Sequence, residues 1–160
     1  MAPSALLFDI SDARFDPPLL TTEQIEAINP HRGNMRLLDG VALESDDRTD
    51  LVAFKEVGDD EFWCDGHIPG RPIFPGVLMI ETAAQCASLQ ALRILTKDDL
   101  GFIGFVGVNN VKFRGQVTPG DRLVMLSRMT EAKKRRCKTL AQGLVNGQIV
   151  FQGEITGMPI

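Results

Sequence analysis

Tyrosine is missing from this sequence altogether, tryptophan occurs once and histidine twice in 160 residues. Cysteine is scarce too. Cys64, Cys86 and Cys137 make an odd number, no two stand in a Cys-x-x-Cys spacing, and no histidine cluster lies beside them. This argues against a disulfide framework and against a zinc site, and favours reduced thiols inside a cell. There is no excess of positive charge. The net charge is -4 and the isoelectric point is near 5.2, which argues against a general nucleic-acid binder. No apolar run is long enough for a membrane span. The start, Met1 to Asp9, has no basic region and so does not read as a secretory signal. A soluble, cytoplasmic protein that binds neither nucleic acid nor membrane is expected.

What is present suits one globular domain. Apolar residues make up 44% and charged residues 24%, and a chain of this length buries a core without staples. Residues 1–20 carry Pro3, Pro17 and Pro18 without a clear period, and read as an extended arm that is either disordered or packed on a partner subunit. The domain is expected over residues 21–160. Thr21 and Gln24 have the spacing of a capping box, so a short helix is predicted from Thr21 to Ile28, stopped by Asn29-Pro30. Strands are predicted over Met35–Leu43 and Thr49–Val57. A glycine- and proline-rich loop, Gly66–Gly76, follows. Val77–Leu95 lacks both breakers, is apolar on nearly every face and reads as a buried helix. After a charged break at Lys97-Asp98-Asp99 come four more strands, near Phe105–Phe113, Asp121–Glu131, Arg136–Val145 and Gln148–Thr156. Asn146-Gly147 between the last two signals a type I′ hairpin. One long helix cannot cover both faces of a parallel sheet. The expected class is therefore α+β, with an antiparallel sheet of about six strands wrapped around one central helix.

Three features of the loop and helix bear on chemistry. His67 sits in the rigid loop, where an imidazole held in place can accept a proton near neutral pH. Glu81 lies in the first turns of an apolar helix, where burial favours the protonated, donating form. Gln85 and Ser88 follow at i+4 and i+7 and make a polar stripe with it. Pro75-Gly76 opens the helix, and unpaired N–H groups there suit a developing negative charge. Taken singly, each has a plain structural reading: an exposed loop histidine, the wet edge of a helix, an ordinary helix start.

The segment Gly66-His67-Ile68-Pro69-Gly70-Arg71-Pro72, continuing through Pro75-Gly76-Val77-Leu78, Glu81 and Ala84-Gln85, resembles the signature of the FabZ-type 3-hydroxyacyl-[acyl-carrier-protein] dehydratases. Pro30-His31-Arg32 with Leu37-Leu38-Asp39 upstream, and Val111-Lys112-Phe113-Arg114 with Pro119-Gly120-Asp121 downstream, continue the likeness over about Ile28 to Ile155. The resemblance implies a hot-dog fold and a homodimer, often assembled into a trimer of dimers, with each site built from both subunits. It implies an acyl thioester substrate carried by acyl carrier protein. The phosphopantetheine arm then belongs to the substrate, and no metal or protein-bound cofactor is needed. By position, His67 is the implied base, Glu81 the acid, the Gly76 N–H the carbonyl-polarising group and Gln85 the support of Glu81.

The chain departs from that family in places. Gly33-Asn34-Met35-Arg36 replaces the usual aromatic pair after Pro-His-Arg, and no tyrosine is available to gate an acyl tunnel. Ile68 stands where phenylalanine is common. The stretch Gly107–Val117 resembles the dehydratase/isomerase relatives, but those carry aspartate at the place of Glu81, which favours dehydration alone over added isomerisation. Lys133-Lys134-Arg135-Arg136 is either a docking patch for an acidic carrier protein or a solvated hairpin tip. The competing readings are a hot-dog thioesterase or enoyl hydratase on another thioester, and a non-catalytic acyl-binding subunit.

Overall fold

The computed structural model describes residues 5–95 and 101–160. The predicted charged break at Lys97-Asp98-Asp99 and the first four residues of the arm lie outside them. A two-residue strand, β1 (Leu20–Thr21), leads into the short helix α1 (Thr22–Glu26). The capping box is formed. The Thr21 hydroxyl accepts from the Gln24 N–H, and the Gln24 side chain accepts from the Thr21 N–H at 2.9 Å. A 3₁₀ turn, Gly33–Met35, precedes β2 (Gly40–Glu44) and β3 (Asp50–Glu56). The long helix α2 spans Gly76–Ile94. Four strands close the chain: β4 (Ile103–Phe113), β5 (Arg122–Lys133), β6 (Arg136–Val145) and β7 (Gln148–Pro159).

All seven strands join one antiparallel sheet in the order β1-β2-β3-β5-β6-β7-β4. Helix α2 packs across one face of it, against β3 to β7. This is the hot-dog arrangement, with seven strands where about six were expected; the extra one is the two-residue β1. The strand predicted over Met35–Leu43 is shorter than expected. Its first half is a 3₁₀ turn and an irregular stretch, because the Gln85 side chain takes the Met35 carbonyl at 2.7 Å and the Leu37 N–H at 3.0 Å. At the β6–β7 hairpin both Asn146 and Gly147 have positive φ, 49° and 76°, as a type I′ turn requires.

The core lies between α2 and the sheet, and includes Trp63, Phe74, Met79, Ala83, Leu89, Leu123, Met125 and Phe151. A second cluster lies on the other face of the sheet. Ala42, Val52, Phe54, Leu126 and Leu144 are buried there beneath Leu7, Phe8, Ile10, Ala13 and Phe15 of the arm. The arm is thus laced onto its own sheet. Leu7 N–H donates to the Gln142 side chain at 2.9 Å, Arg14 N–H to the Ala42 carbonyl at 2.8 Å, and Leu19 N–H to the Val41 carbonyl at 2.7 Å. Arg128 lies over the Phe8 ring and Arg122 over Phe15. With both faces covered, β3 and β5 carry continuous apolar runs, Leu51–Phe54 and Leu123–Leu126, in place of an alternation.

Candidate active site

The loop that carries His67 is pinned at both ends and strained in the middle. Trp63 and Phe74 are buried and meet edge to face at 5.5 Å, which ties the loop to the core. Between them Ile68 has φ 58° and Gly70 φ 80°. A β-branched residue in that region is rare, because its Cβ crowds the following carbonyl at a cost of about 1–2 kcal/mol. The strain sits next to His67, and such strain gathers at functional sites. The His67 Nδ1 stands 2.7 Å from the Ile73 carbonyl oxygen. A carbonyl can only accept, so Nδ1 carries the proton. Nε2 then holds the free lone pair, which is the tautomer a base needs.

Helix α2 starts at Gly76 with no side-chain cap, since Pro75 occupies the cap position. The first-turn N–H groups are therefore not claimed by a capping side chain. The Phe113 ring lies over this start so closely that a Cβ on Gly76 would fall 2.9 Å from its edge. Glycine is what lets the two approach.

Glu81 lies further along α2, at a cavity of about 100 Å³ between the helix and the sheet. His31, Ser88, Gly104, Phe105 and Gly157 also line it. The Gln85 amide donates to Glu81 Oε1 at 2.9 Å, and His31 Nε2 stands 3.5 Å from the same oxygen. Gln85 is itself locked by its bonds to Met35 and Leu37, so the carboxyl is held by a group with no freedom of its own. Burial pushes the His31 imidazole below its ordinary value; Glu81 opposes this and Arg32 adds to it. Cys86, next to Gln85, offers no nucleophile, because full burial raises its thiol far above the usual range.

One chain therefore gathers Glu81, Gln85 and His31. His67 and Gly76 do not line that cavity. Sequence reasoning named four of these five residues and gave no role to His31. The signal was available: it is one of only two histidines and sits in the Pro-His-Arg segment. Among the described residues no helix is long and apolar enough to cross a membrane.

Comparison with known proteins places the chain. The FabA-like domain matches residues 29–154. The chain is similar to 3-hydroxyacyl-[acyl-carrier-protein] dehydratase FabZ of Streptococcus equi subsp. zooepidemicus, 34% identical over 86% of this chain and 96% of the relative. FabZ of Herpetosiphon aurantiacus is 37% identical over 84% of this chain and 94% of its own. Among solved structures, the dehydratase heterocomplex ApeI:P of Xenorhabdus doucetiae shares the fold with a TM-score of 0.70 at 16% identity, over 85% of this chain and 90% of that one. A hypothetical thioesterase of Streptococcus pneumoniae, crystallised with coenzyme A, shares it with a TM-score of 0.57 at 12% identity, over 75% of this chain and 84% of that one. With its helix-wrapped sheet and the extent of these matches, the chain belongs to the FabA-like family.

Proposed function

We propose that the protein dehydrates (3R)-3-hydroxyacyl thioesters, carried by acyl carrier protein, to trans-2-enoyl thioesters in fatty acid biosynthesis. The observation that carries this reading is the clamped Glu81 carboxyl at a cavity of a FabA-like chain. His67 Nε2 removes the α-proton as the Cα–H bond breaks. Its electron pair forms the Cα=Cβ bond, the Cβ–O bond breaks, and Glu81 gives its proton to the departing hydroxyl, which leaves as water. Charge that builds on the thioester oxygen is met by the Gly76 N–H at the uncapped helix start. No step calls for a metal or a bound cofactor; the phosphopantetheine arm arrives with the substrate.

The working unit on this reading is a homodimer, with the option of a trimer of dimers. Two observations support it. His67 does not line the cavity of the Glu81 in its own chain, which fits a second copy supplying one of the pair. β4 is an edge strand of 11 residues with Phe105, Val106 and Phe113 about half exposed, and a long apolar edge invites another strand. Residues 21–160 are the catalytic domain and residues 1–20 an addition to it. The acidic carrier protein docks on the basic β5–β6 tip, in the cytoplasm.

The test is hydration of a crotonyl thioester on both carrier protein and coenzyme A, followed as loss of enoyl absorbance. Turnover that is abolished by His67→Ala and by Glu81→Gln supports the assignment. Release of free thiol in its place marks a thioesterase, and an active His67→Ala variant removes the base.

A further inference from the structure

We propose that His31 is a positioning residue for the acid of this reaction. With Gln85 it donates to Glu81 Oε1 and so directs the acid proton onto Oε2, the oxygen left for substrate. The inference rests on the reading of Glu81 as the acid.

The His31 segment is a built mount. The Asn29 side chain donates to the Gln85 carbonyl of α2 at 3.0 Å. The Arg32 guanidinium gathers three carbonyls, of Glu26 at 2.7 Å and of Asn29 and His31 at 2.8 Å each. Gln85 then catches Met35 and Leu37 beyond. Residues 29–37 are thus fastened to α2 on both sides of His31, and the His31 imidazole is the side chain from this segment that reaches Glu81.

The state of the ring follows from its surroundings. Burial favours the neutral imidazole, which has one N–H. Nδ1 is enclosed and has no hydrogen-bond partner among the described residues. A proton there would be a buried donor without an acceptor, and would leave the Nε2 lone pair facing a carboxyl oxygen. The proton therefore sits on Nε2, the ring nitrogen 3.5 Å from Oε1. That separation is long for a hydrogen bond, and catalytic contacts of this kind tighten when substrate binds. The two histidines of the chain thus hold opposite tautomers. His67 presents a lone pair, and His31 presents a proton.

Two donors on one oxygen decide where the acid proton goes. When Glu81 is protonated, Oε1 already accepts from Gln85 and has the His31 Nε2 3.5 Å away, so the proton occupies Oε2. A lysine or arginine at position 31 would pair with the ionised carboxylate and hold it in that form. A neutral imidazole orients the group without fixing its charge.

The experiment compares His31→Leu, His31→Asn and His31→Gln with the wild type and with Glu81→Gln, in carrier-protein-linked hydration. The glutamine amide reaches as far as Nε2; the shorter asparagine amide reaches only to Nδ1. His31→Leu and His31→Asn are expected to lose about tenfold in kcat with KM unchanged, while His31→Gln recovers most of it. Circular dichroism and Tm report on folding. If the leucine variant does not fold, the asparagine–glutamine contrast carries the test. Full kcat in His31→Asn, equal loss in asparagine and glutamine variants, or a change confined to KM overturns the proposal while Glu81→Gln remains dead. An active Glu81→Gln overturns the acid assignment itself.

Discussion

Replacing Gln85 by methionine keeps the length of the side chain and removes every hydrogen bond it makes. Three groups lose a partner: the Leu37 N–H, the Met35 carbonyl and Glu81 Oε1. Leu37 is 1% exposed, so its N–H becomes a buried donor with nothing to meet, at a cost of about 1–3 kcal/mol. Met35 is exposed and its carbonyl turns to water at little cost. Glu81 keeps a quarter of its side chain exposed, 25%, so its bond counts at the low end, about 0.5–1 kcal/mol. The sum is about 1.5–4 kcal/mol, or a fall in Tm of about 3–15 °C for a domain of this size. Urea unfolding at one fixed protein concentration measures it, since the proposed self-association would make the midpoint depend on concentration. On the proposed mechanism kcat should fall with it, because Glu81 loses its principal hold. A Gln85→Met protein with an unchanged urea midpoint and unchanged kcat would refute the view that this side chain locks Glu81 and the segment before β2.

Burial holds the His31 imidazole below the ordinary 6.5, so the unfolded chain binds that proton first as the pH drops. The stability this group contributes is complete above about 6.5 and is lost as pH falls from there through the lower folded value. His31→Gln should flatten that part of the urea midpoint–pH curve, and an identical curve in wild type and variant would contradict the burial. At the β5–β6 tip Arg136 and Lys133 are engaged by Glu131, which leaves Lys134 and Arg135 outermost. Lys134→Glu with Arg135→Glu should raise KM for carrier-protein-linked substrate and leave the coenzyme A thioester unaffected; equal shifts in both exclude docking there. Phe8→Ala, which empties part of the outer cluster beneath the arm, should cost about 1–2 kcal/mol of stability with kcat unchanged. No loss of stability would mean that the arm is not held through that ring.

Much of the fold was legible in local pattern. Helix α2, the capping box at Thr21 and the Asn146-Gly147 hairpin are each set by neighbours within a few residues, and each formed where expected. The stretch from Met35 to Asp39 was misread as strand. Its apolar residues fit that reading, but its backbone partner is a side chain some 50 residues away, Gln85. The arm carried no period of its own because the sheet beneath it supplies the order. The trace it left is in the strands: Leu51–Phe54 and Leu123–Leu126 lack the polar alternation of a wet outer face. At the site, the Glu81–Gln85 bond followed from helical spacing. The approach of His31 to Glu81 joins positions 50 apart, and no local rule reaches that far.

The two edges of the sheet are unequal. One ends in β1, two residues long, and the other in β4, with 11. In the proposed dimer, pairing β4 of one copy with β4 of another would consume the long edge of both in a single step. What then faces outward on each side is a strand too short to template a third chain. Extension of the sheet, strand by strand, then stops at two copies, so a trimer of such dimers would form through other surfaces, and a sheet with an apolar border is kept from becoming the seed of a fibre.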